Sequence, residues 1–376
     1  MDATREIYWN VGLGVVLPMY LFTACAMIVL VVEFYRRIRI YNTGRPLFRL
    51  DLLSRRITQT LINTFAQRRV LRVTKPGLTH AFLFWGTLLL FIGTLLIMIQ
   101  VDFTQPLFDT KFLKGNFYRA YSLVLDVAGV VAIATMIGFA VRRFIYRPEG
   151  LKIIIDDYLI HLLFISILVT GYWIEGARMA ATEMKTNPAL TWFSPVGRAV
   201  AVSMSGMEEE ALRTMHRYAW WIHFFLVMGI IAVLPFTKFR HLFTTPAGTL
   251  FGDVRPKGAI ATPNLEAEGV SQFGVGVTTD FAWKDIFDAD ACMSCKRCQD
   301  RCPAWATGKP LSPMLVVQQV GETAFQNHPD DLIAVVTPDV LWACTTCRAC
   351  QEICPADIEH VNKILEMRRH LVLMRG

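Results

Sequence analysis

The sequence predicts an all-α membrane protein, with five helices that cross a bilayer followed by a mainly helical soluble domain. Three observations carry this. Hydrophobic residues make up 53% of the 376 positions, and the mean hydropathy is +0.39, more apolar than a soluble chain of this length. Five apolar stretches, at about 12–34, 78–100, 120–141, 157–179 and 216–238, are each long enough to span. Beyond residue 241 the composition changes and most of the cysteines appear. The net charge of +7 could suit nucleic acid, but the basic residues fall between the apolar runs. That placement is a topology signal, and no nucleic-acid partner is expected.

The first apolar run has no basic leader and no small-residue cleavage site, so no signal peptide is expected. The connection at 36–77 carries Arg36, Arg37, Arg39, Arg45, Arg49, Arg55, Arg56, Arg68, Arg69, Arg72 and Lys75 against a single acid, Asp51. The connection after the third span is also basic, with Arg142, Arg143, Arg147 and Lys152. The connections at 101–119 and 180–215 mix signs. The positive-inside rule then places the N-terminus outside and the C-terminal domain in the cytoplasm, on a prokaryotic cytoplasmic membrane. Within the basic connection, Leu53, Ile57, Leu61 and Phe65 recur every four residues. Residues 50–71 therefore read as an amphipathic helix on the anionic lipid surface. Glu208, Glu209 and Glu210 suit the N-terminal dipole of the fifth span. Cys25, alone in the first span, reads as packing.

The fifth span ends in His223 to His241, an apolar stretch with a histidine at each end. Eighteen residues make five helical turns, so both imidazoles share a face about 27 Å apart, close to the thickness of the hydrocarbon core. Ionisable side chains in a span are rare and usually functional, and imidazole is the commonest axial ligand of haem. His80, at the start of the second span, lies at the same cytoplasmic depth as His241, and the two are the expected pair for a haem b. His223 lies near the outer face with no evident partner. His161, early in the fourth span, is a candidate ligand or haem-propionate partner, or a core histidine. His216 is a candidate ligand, a quinone contact, or a residue of the interface. His328, His360 and His370 read as ordinary soluble-domain residues.

Residues 242–284 are punctuated by glycine and proline without helical period and read as a linker. The expected domains are therefore 1–241, the linker, and 285–376. The last contains Cys292-x2-Cys295-x2-Cys298-x3-Cys302-Pro303 and Cys344-x2-Cys347-x2-Cys350-x3-Cys354-Pro355. This spacing is that of bacterial ferredoxins with two [4Fe–4S] clusters, in which the fourth cysteine of each run ligates the other cluster. The expected ligands are Cys292, Cys295, Cys298 and Cys354 for one cluster, and Cys344, Cys347, Cys350 and Cys302 for the second. Zinc is the alternative, since it also uses C-x2-C pairs. The doubled four-cysteine run with proline after each disfavours it. Disulfides do not suit a cytoplasmic domain. Leu311 to Phe325 reads as a helix between the runs.

The run from His223 through Leu234-Pro235-Phe236-Thr237-Lys238-Phe239-Arg240-His241 resembles the last helix of the cytochrome b (gamma) subunit of respiratory nitrate reductase. That resemblance implies a five-helix cytochrome b-like bundle with two haems b. His223 and His241 match its span-five ligand pair, and His80 matches the span-two ligand that pairs with the last histidine. Leu90 stands where the second span-two ligand would fall. The same family uses a lysine in the outer loop after span two for quinone, and Lys111 is nearest in position. The chain as a whole is similar to the membrane iron–sulfur oxidoreductases related to heterodisulfide reductase, including electron-transfer-flavoprotein:menaquinone oxidoreductases. Phe251 to Ala259, Asp288 to Cys292 and Cys302 to Pro313 carry the likeness. Such proteins commonly continue into cysteine-rich CCG domains. This chain has no CCG pair, so that module is expected on a missing stretch or a separate subunit.

The parts define a wire between a cytoplasmic redox partner, such as electron transfer flavoprotein or a CCG-domain protein, and menaquinone in the bilayer. The carriers are two [4Fe–4S] clusters and one or two haems b. The reverse direction, from quinol to a cytoplasmic reductase, is the first alternative. A membrane-anchored iron–sulfur sensor is the alternative from another class.

Overall fold

The computed structural model describes residues 3–376 other than 6, 148–150, 152, 257, 261, 267, 270–271 and 327–330. The principal helices are α1 (Val16–Tyr41), α2 (Leu53–Phe65), α3 (Thr74–Met98), α4 (Gly115–Ala140), α5 (Ile155–Ala181), α6 (Pro195–Ser203), α7 (Glu209–Val233), α8 (His241–Leu250), α9 (Trp283–Ala291), α10 (Pro313–Phe325) and α11 (His360–Met374). No strand is present among the described residues, only an isolated bridge between Arg45 and Ala282. Two compact units emerge. The first takes the described residues up to Leu30, from Thr74 to Arg147, and from Ile153 to Leu234. The second takes Val31–Val73 and Pro235–Gly376.

The first unit is the membrane bundle. Five helical stretches are long and apolar enough to cross a bilayer: Val16–Tyr41, Thr74–Phe108, Gly115–Tyr146, Ile155–Thr186 and Glu209–Phe236. The second and third run past the expected bounds because they continue as π-helical turns, Ile99–Thr104 and Val141–Tyr146. α3 packs on α4, and α5 on α6 and α7. Small residues sit at these crossings. A Cβ on Gly86 would stand 3.1 Å from the Ala128 carbonyl, and one on Gly176 would strike Val200. Between apolar helices in lipid, such close approach is what holds the bundle together. Glu208 takes the N-cap position of α7 without a side-chain cap bond, and Glu209 instead pairs with Lys185 at 3.1 Å and Arg213 at 2.9 Å. Cys25 corrects an expectation. It is exposed on α1, where a small thiol suits a lipid-facing surface as well as a packed one.

The second unit contains the C-terminal region and the basic first connection. α2 is shorter than the expected 50–71, but its Leu53, Ile57, Leu61 and Phe65 do form an exposed apolar stripe. Its Arg56 turns inward and is buried, donating to Asp51 and to the carbonyls of Leu250 (3.1 Å) and Gly252 (2.5 Å). The linker also needs correction, because its start is helical. α8 contains Pro246, yet Thr244, Gly248 and Thr249 are buried on it and the helix packs against α2. Tertiary burial there overrides the helix-breaking composition that the sequence displays. Gly274 adopts φ +71°, and a Cβ there would collide with the backbone of Glu366 and His370 on α11.

Six arginines of the basic connection bind the C-terminal region. Arg37 reaches Asp290 (2.7 Å), Arg45 reaches Asp280 (3.3 Å), and Arg49 makes two bonds to Glu359 (3.0 and 2.9 Å). Arg56 reaches the residues just named. Arg69 reaches Asp357 (2.9 Å) and the Cys354 carbonyl (3.2 Å), and Arg72 reaches Glu352 (2.8 Å). The apolar core beneath them includes Phe281, Ile286, Val317, Leu332, Leu341 and Ile364. Through that core runs an ion cluster. The Asp288 carboxylate receives Lys284 and Lys363 (2.8 Å), and Lys363 also reaches Asp285 (3.0 Å). Burial opposes the Asp288 charge, but the two ammoniums win and hold its carboxyl down at about 2.

A buried charge left without its partner costs about 3–5 kcal/mol. Asp288→Asn strands Lys284 and leaves Lys363 with Asp285, so it should lower the urea stability of the second unit by about that much. Adding Lys284→Met should recover part of the loss, because an apolar group then replaces the stranded ammonium. Hydrogen exchange of the Ile286 and Ile364 amides reads both.

Candidate redox centres

Each cysteine run is built as a tight loop leading into a short helix, Arg297–Asp300 or Ala349–Ile353. Both loops place non-glycine residues in the left-handed region at matching positions. Ser294 (φ 52°) and Lys296 (70°) in the first run correspond to Thr346 (56°) and Arg348 (62°) in the second. Alternating right- and left-handed residues turn successive amides inward and form an anion-binding concavity, as in many iron–sulfur sites. The Thr346 amide donates to Cys344 Sγ at 3.4 Å, and the Ser294 amide bonds Cys292 in the same way. No glycine or asparagine marks these turns, so turn chemistry gave no signal for them.

The fourth cysteines cross over. One cavity is lined by Cys302, Cys344, Cys347 and Cys350, together with Pro303, Pro313 and Arg348. The other four thiols influence one another. Cys298 feels Cys354, Cys292 and Cys295, and Cys354 feels Cys295 and Cys292. Cys298 and Cys350, one from each set, pack in a single apolar cluster with Met314, Ile353 and Val361. Burial first, and neighbouring thiols second, push Cys292 up to about 11 and Cys350 to about 12. Burial and then the other thiols also raise Cys298 and Cys354. Four thiolates so close need a polynuclear cation to stay ionised, and binding it must release their protons. The donor set fits a cubane. Among the described residues, no three His, Cys, Asp or Glu side chains are grouped to hold a single metal ion.

Asp290, two residues before Cys292, joins this region to His241. Its carboxylate receives Arg37 (2.7 Å), Tyr41 Oη (2.5 Å) and Arg240 Nε (2.9 Å), and Arg240 also donates to the Asp290 carbonyl at 3.1 Å. Arg240 is the neighbour of His241. The His241 ring donates Nδ1–H to the Lys238 carbonyl at 2.7 Å, a bond that orients the imidazole and fixes its tautomer. Burial, foremost, pushes its pKa down and keeps the ring neutral.

Two histidines of the membrane unit share that tautomer. His161 donates Nδ1–H to the Asp157 carbonyl (2.6 Å), and its Nε2 is buried without a hydrogen-bond partner. The Thr170 hydroxyl gives its proton to helix carbonyls at 2.7 and 3.1 Å, so its oxygen accepts His223 Nδ1–H at 2.9 Å. His80 is half-buried near the start of α3. His216 is buried and lies edge-on to Trp9 with centroids 4.7 Å apart, so it belongs to the packed core and not to the water interface. Lys111 is exposed in the loop after the second span. In the second unit His360 is buried, with its Nδ1 3.0 Å from the Ile358 carbonyl. Burial, and next Lys363, hold it down at about 4. His370 packs over Gly276. His328 lies outside the described residues.

Known proteins add to the geometry. Residues 291–358 match the family model of the 4Fe-4S dicluster domain. EtfAB:quinone oxidoreductase of Syntrophomonas wolfei is 34% identical over 91% of this chain and 52% of its own length. The chain is related to membrane iron–sulfur oxidoreductases. A second relative is the "Probable iron-sulfur-binding oxidoreductase FadF" of Bacillus subtilis, 26% identical over 84% of this chain and 50% of its own. One of the subunits of the ferredoxin:CoB-CoM heterodisulfide reductase of Methanosarcina mazei is 36% identical over 24% of this chain and 49% of its own. The chain spans about half the length of the curated relatives it matches first. No solved structure matches it. The oxidoreductase kinship, the helical membrane fold and a C-terminal domain for two [4Fe–4S] clusters, all expected from the sequence, therefore stand.

Thr346 must keep its left-handed φ for the second loop to close, and proline cannot adopt it. Thr346→Pro should cost about half of the iron and acid-labile sulfide, whereas Thr346→Gly should retain both. Iron and sulfide assays on purified protein check this.

Proposed function

We propose that the chain carries electrons between a soluble flavoprotein and a membrane quinone, with menaquinone as the acceptor. The Arg240–Asp290 link carries this reading, because it ties the His241 segment directly to the turn that bears Cys292. The name of the Syntrophomonas relative supports the choice of an electron transfer flavoprotein and a quinone. When bound, two [4Fe–4S] clusters and haem b supply one-electron carriers at separated points. The protein's own residues bind and orient them. Cys292, Cys295, Cys298 and Cys354 hold one cluster, and Cys344, Cys347, Cys350 and Cys302 hold the other. The inward amides of Ser294 and Thr346 bond the cluster thiolates, which raises a cluster's potential. His80 and His241 hold the inner haem b. His223 and His161 are further candidates, since each ring is oriented by a hydrogen bond at Nδ1.

The overall step balances. A reduced flavin gives up two electrons and two protons, and the quinone takes two electrons and two protons to become quinol. We place the iron–sulfur domain in the cytoplasm of a prokaryotic cell, following the basic connections. A second reading reverses the flow, from quinol to a cytoplasmic reductase, and the likeness to part of a heterodisulfide reductase favours it. An iron–sulfur sensor would need neither haem nor quinone.

Haem content by pyridine haemochrome, together with EPR of the reduced protein, tests the carriers. His80→Ala and His241→Ala should each abolish the same low-spin haem signal, and a wild type without haem would sink the cytochrome assignment. Cys302→Ser should alter the cluster of the second run and spare that of the first, whereas Cys354→Ser should do the converse. Stopped-flow reduction by a reduced electron transfer flavoprotein, set against reduction by a menaquinol analogue, decides the direction.

A further inference from the structure

Along residues 47–65 the second unit turns its charges inward and its apolar side chains outward. Around residue 49 the alternation has a period of two. Arg49 is buried on Glu359, whereas Phe48 (74%) and Leu50 (51%) are exposed. In α2 the inversion follows the helical period. Arg56, Gln59, Thr60 and Asn63 lie on the buried or half-buried side, and Leu53, Ile57, Leu61, Ile62 and Phe65 are exposed. α8, which packs on α2, adds the exposed Leu242 and Phe243. A helix on a water-facing surface has the opposite arrangement, and monomeric soluble proteins rarely expose large contiguous apolar patches.

Two features decide what covers this face. The first is continuity with a membrane span. α1 is long and apolar enough to cross a bilayer, and its last turns, from Val31 onward, belong to the second unit. There Phe34 packs edge-on against Phe243, with ring centroids 5.3 Å apart. The apolar face therefore begins where a spanning helix leaves the hydrocarbon. The second is charge. Six arginines of this connection bind the C-terminal region, and four are left over. Arg36 lies 3.5 Å from Glu33. Arg39, Arg55 and Arg68 are exposed and pair with no carboxylate among the described residues.

We propose that residues 47–65 and the start of α8 form an in-plane anchor that seats the second unit in the headgroup layer of an anionic lipid leaflet. The apolar side chains enter the acyl boundary and the free arginines meet lipid phosphates, as in interfacial helices. Sequence period alone suggests one helix resting on lipid. The inward Arg49 and Arg56 extend the anchor back to residue 47 and across to α8. A second copy of the chain is a poor occupant, because a two-fold contact would set these arginines against their own copies. Arg56 ties the seated helix to the Leu250 and Gly252 carbonyls at the end of α8, and His241 is the first residue of α8. The leaflet thereby holds the His241 segment in place, whichever carriers the chain binds.

The test uses the full chain in nanodiscs of phosphatidylcholine with a minority of phosphatidylglycerol. The photoreactive p-benzoylphenylalanine is placed at Phe48, Ile57 or Leu61, and at Trp342 as an exposed aromatic control in the same unit. All variants are compared at wild-type iron and sulfide content, which reports an intact fold. Irradiation should give lipid-mass adducts at the first three positions and none at Trp342. Among those adducts phosphatidylglycerol should exceed its bulk share about fivefold, the worth of one arginine at an anionic surface. Arg39→Gln, Arg55→Gln and Arg68→Gln together should return it to the bulk share. Crosslinks to a second chain at Phe48, Ile57 and Leu61, or lipid adducts no more abundant there than at Trp342, would overturn the anchor. Lipid adducts in which phosphatidylglycerol keeps its bulk share would overturn the anionic seat.

Discussion

The structure depends on one set of contacts, between the arginines of the first connection and the C-terminal region. Arg37 meets Asp290 across 253 residues of sequence, and Arg49 meets Glu359 across 310. These pairs are nearly dry. The Arg49 and Glu359 side chains keep 9% and 6% of their exposure. Such pairs gain little net stability over an apolar packing of equal volume, but losing one partner is severe. What they give is position. Asp290 is gripped by three donors at once, and Cys292 follows it by two residues. The geometry of the first cysteine run is thus set partly from the opposite end of the chain.

Position matters because the thiol sites are electrostatically demanding. Each set packs four sulfurs into partly apolar surroundings, and every resolved thiol shift within them runs upward. Without a cation the sites favour neutral thiols, so cluster binding and local folding are linked. The paired left-handed residues meet the same demand from the backbone side, by aiming amides at the sulfurs. Lysine, arginine, serine and threonine each adopt that conformation at a cost of about 1–2 kcal/mol, which the surrounding contacts must offset. Both loops accept the cost at the same two positions. It follows from the chemistry at the centre and not from either loop's local sequence.

Much of this was legible beforehand. Period and length identified the five spans, and the doubled C-x2-C-x2-C-x3-C-P spacing identified the dicluster domain. Four features were not. The arginines of residues 36–77 read as a topology signal because local sequence cannot reveal partners 250 residues away. Residues 242–250 read as linker because Pro246 and Gly248 speak against a helix until α2 is packed on it. The left-handed turns carry no glycine. The fourth, the set of ionisable side chains packed inside the membrane bundle, is visible in the sequence as residues but not as neighbours. Asp126, Glu175 and Arg178 are ionisable residues within the spans, and such residues mark a functional site more reliably than the loop lysine at 111.

The two cysteine runs also differ in a way that gives the proposed chain of carriers an order. In the first run Met293 and Ser294 are half-buried, and the run is fastened through Asp290 to Arg240, beside His241. In the second run Thr345 and Thr346 are exposed where Met293 and Ser294 are not, while Cys295 and Cys347 are exposed alike, and Trp342, over which Arg368 stacks at 4.9 Å, is exposed too. A soluble partner can approach only what is exposed, and an internal carrier must be linked to the next. On the proposed reading, the second run therefore suits exchange with the flavoprotein, and the first suits exchange with a haem on His241. Cys298 and Cys350 lie in one apolar cluster with Met314, Ile353 and Val361, so buried apolar side chains stand between the two sets. The two runs match in the exposure of their cysteines, Cys295 and Cys347 alike; the fold makes the repeat directional by fastening the first copy to the His241 segment and leaving the Thr345–Thr346 turn of the second open.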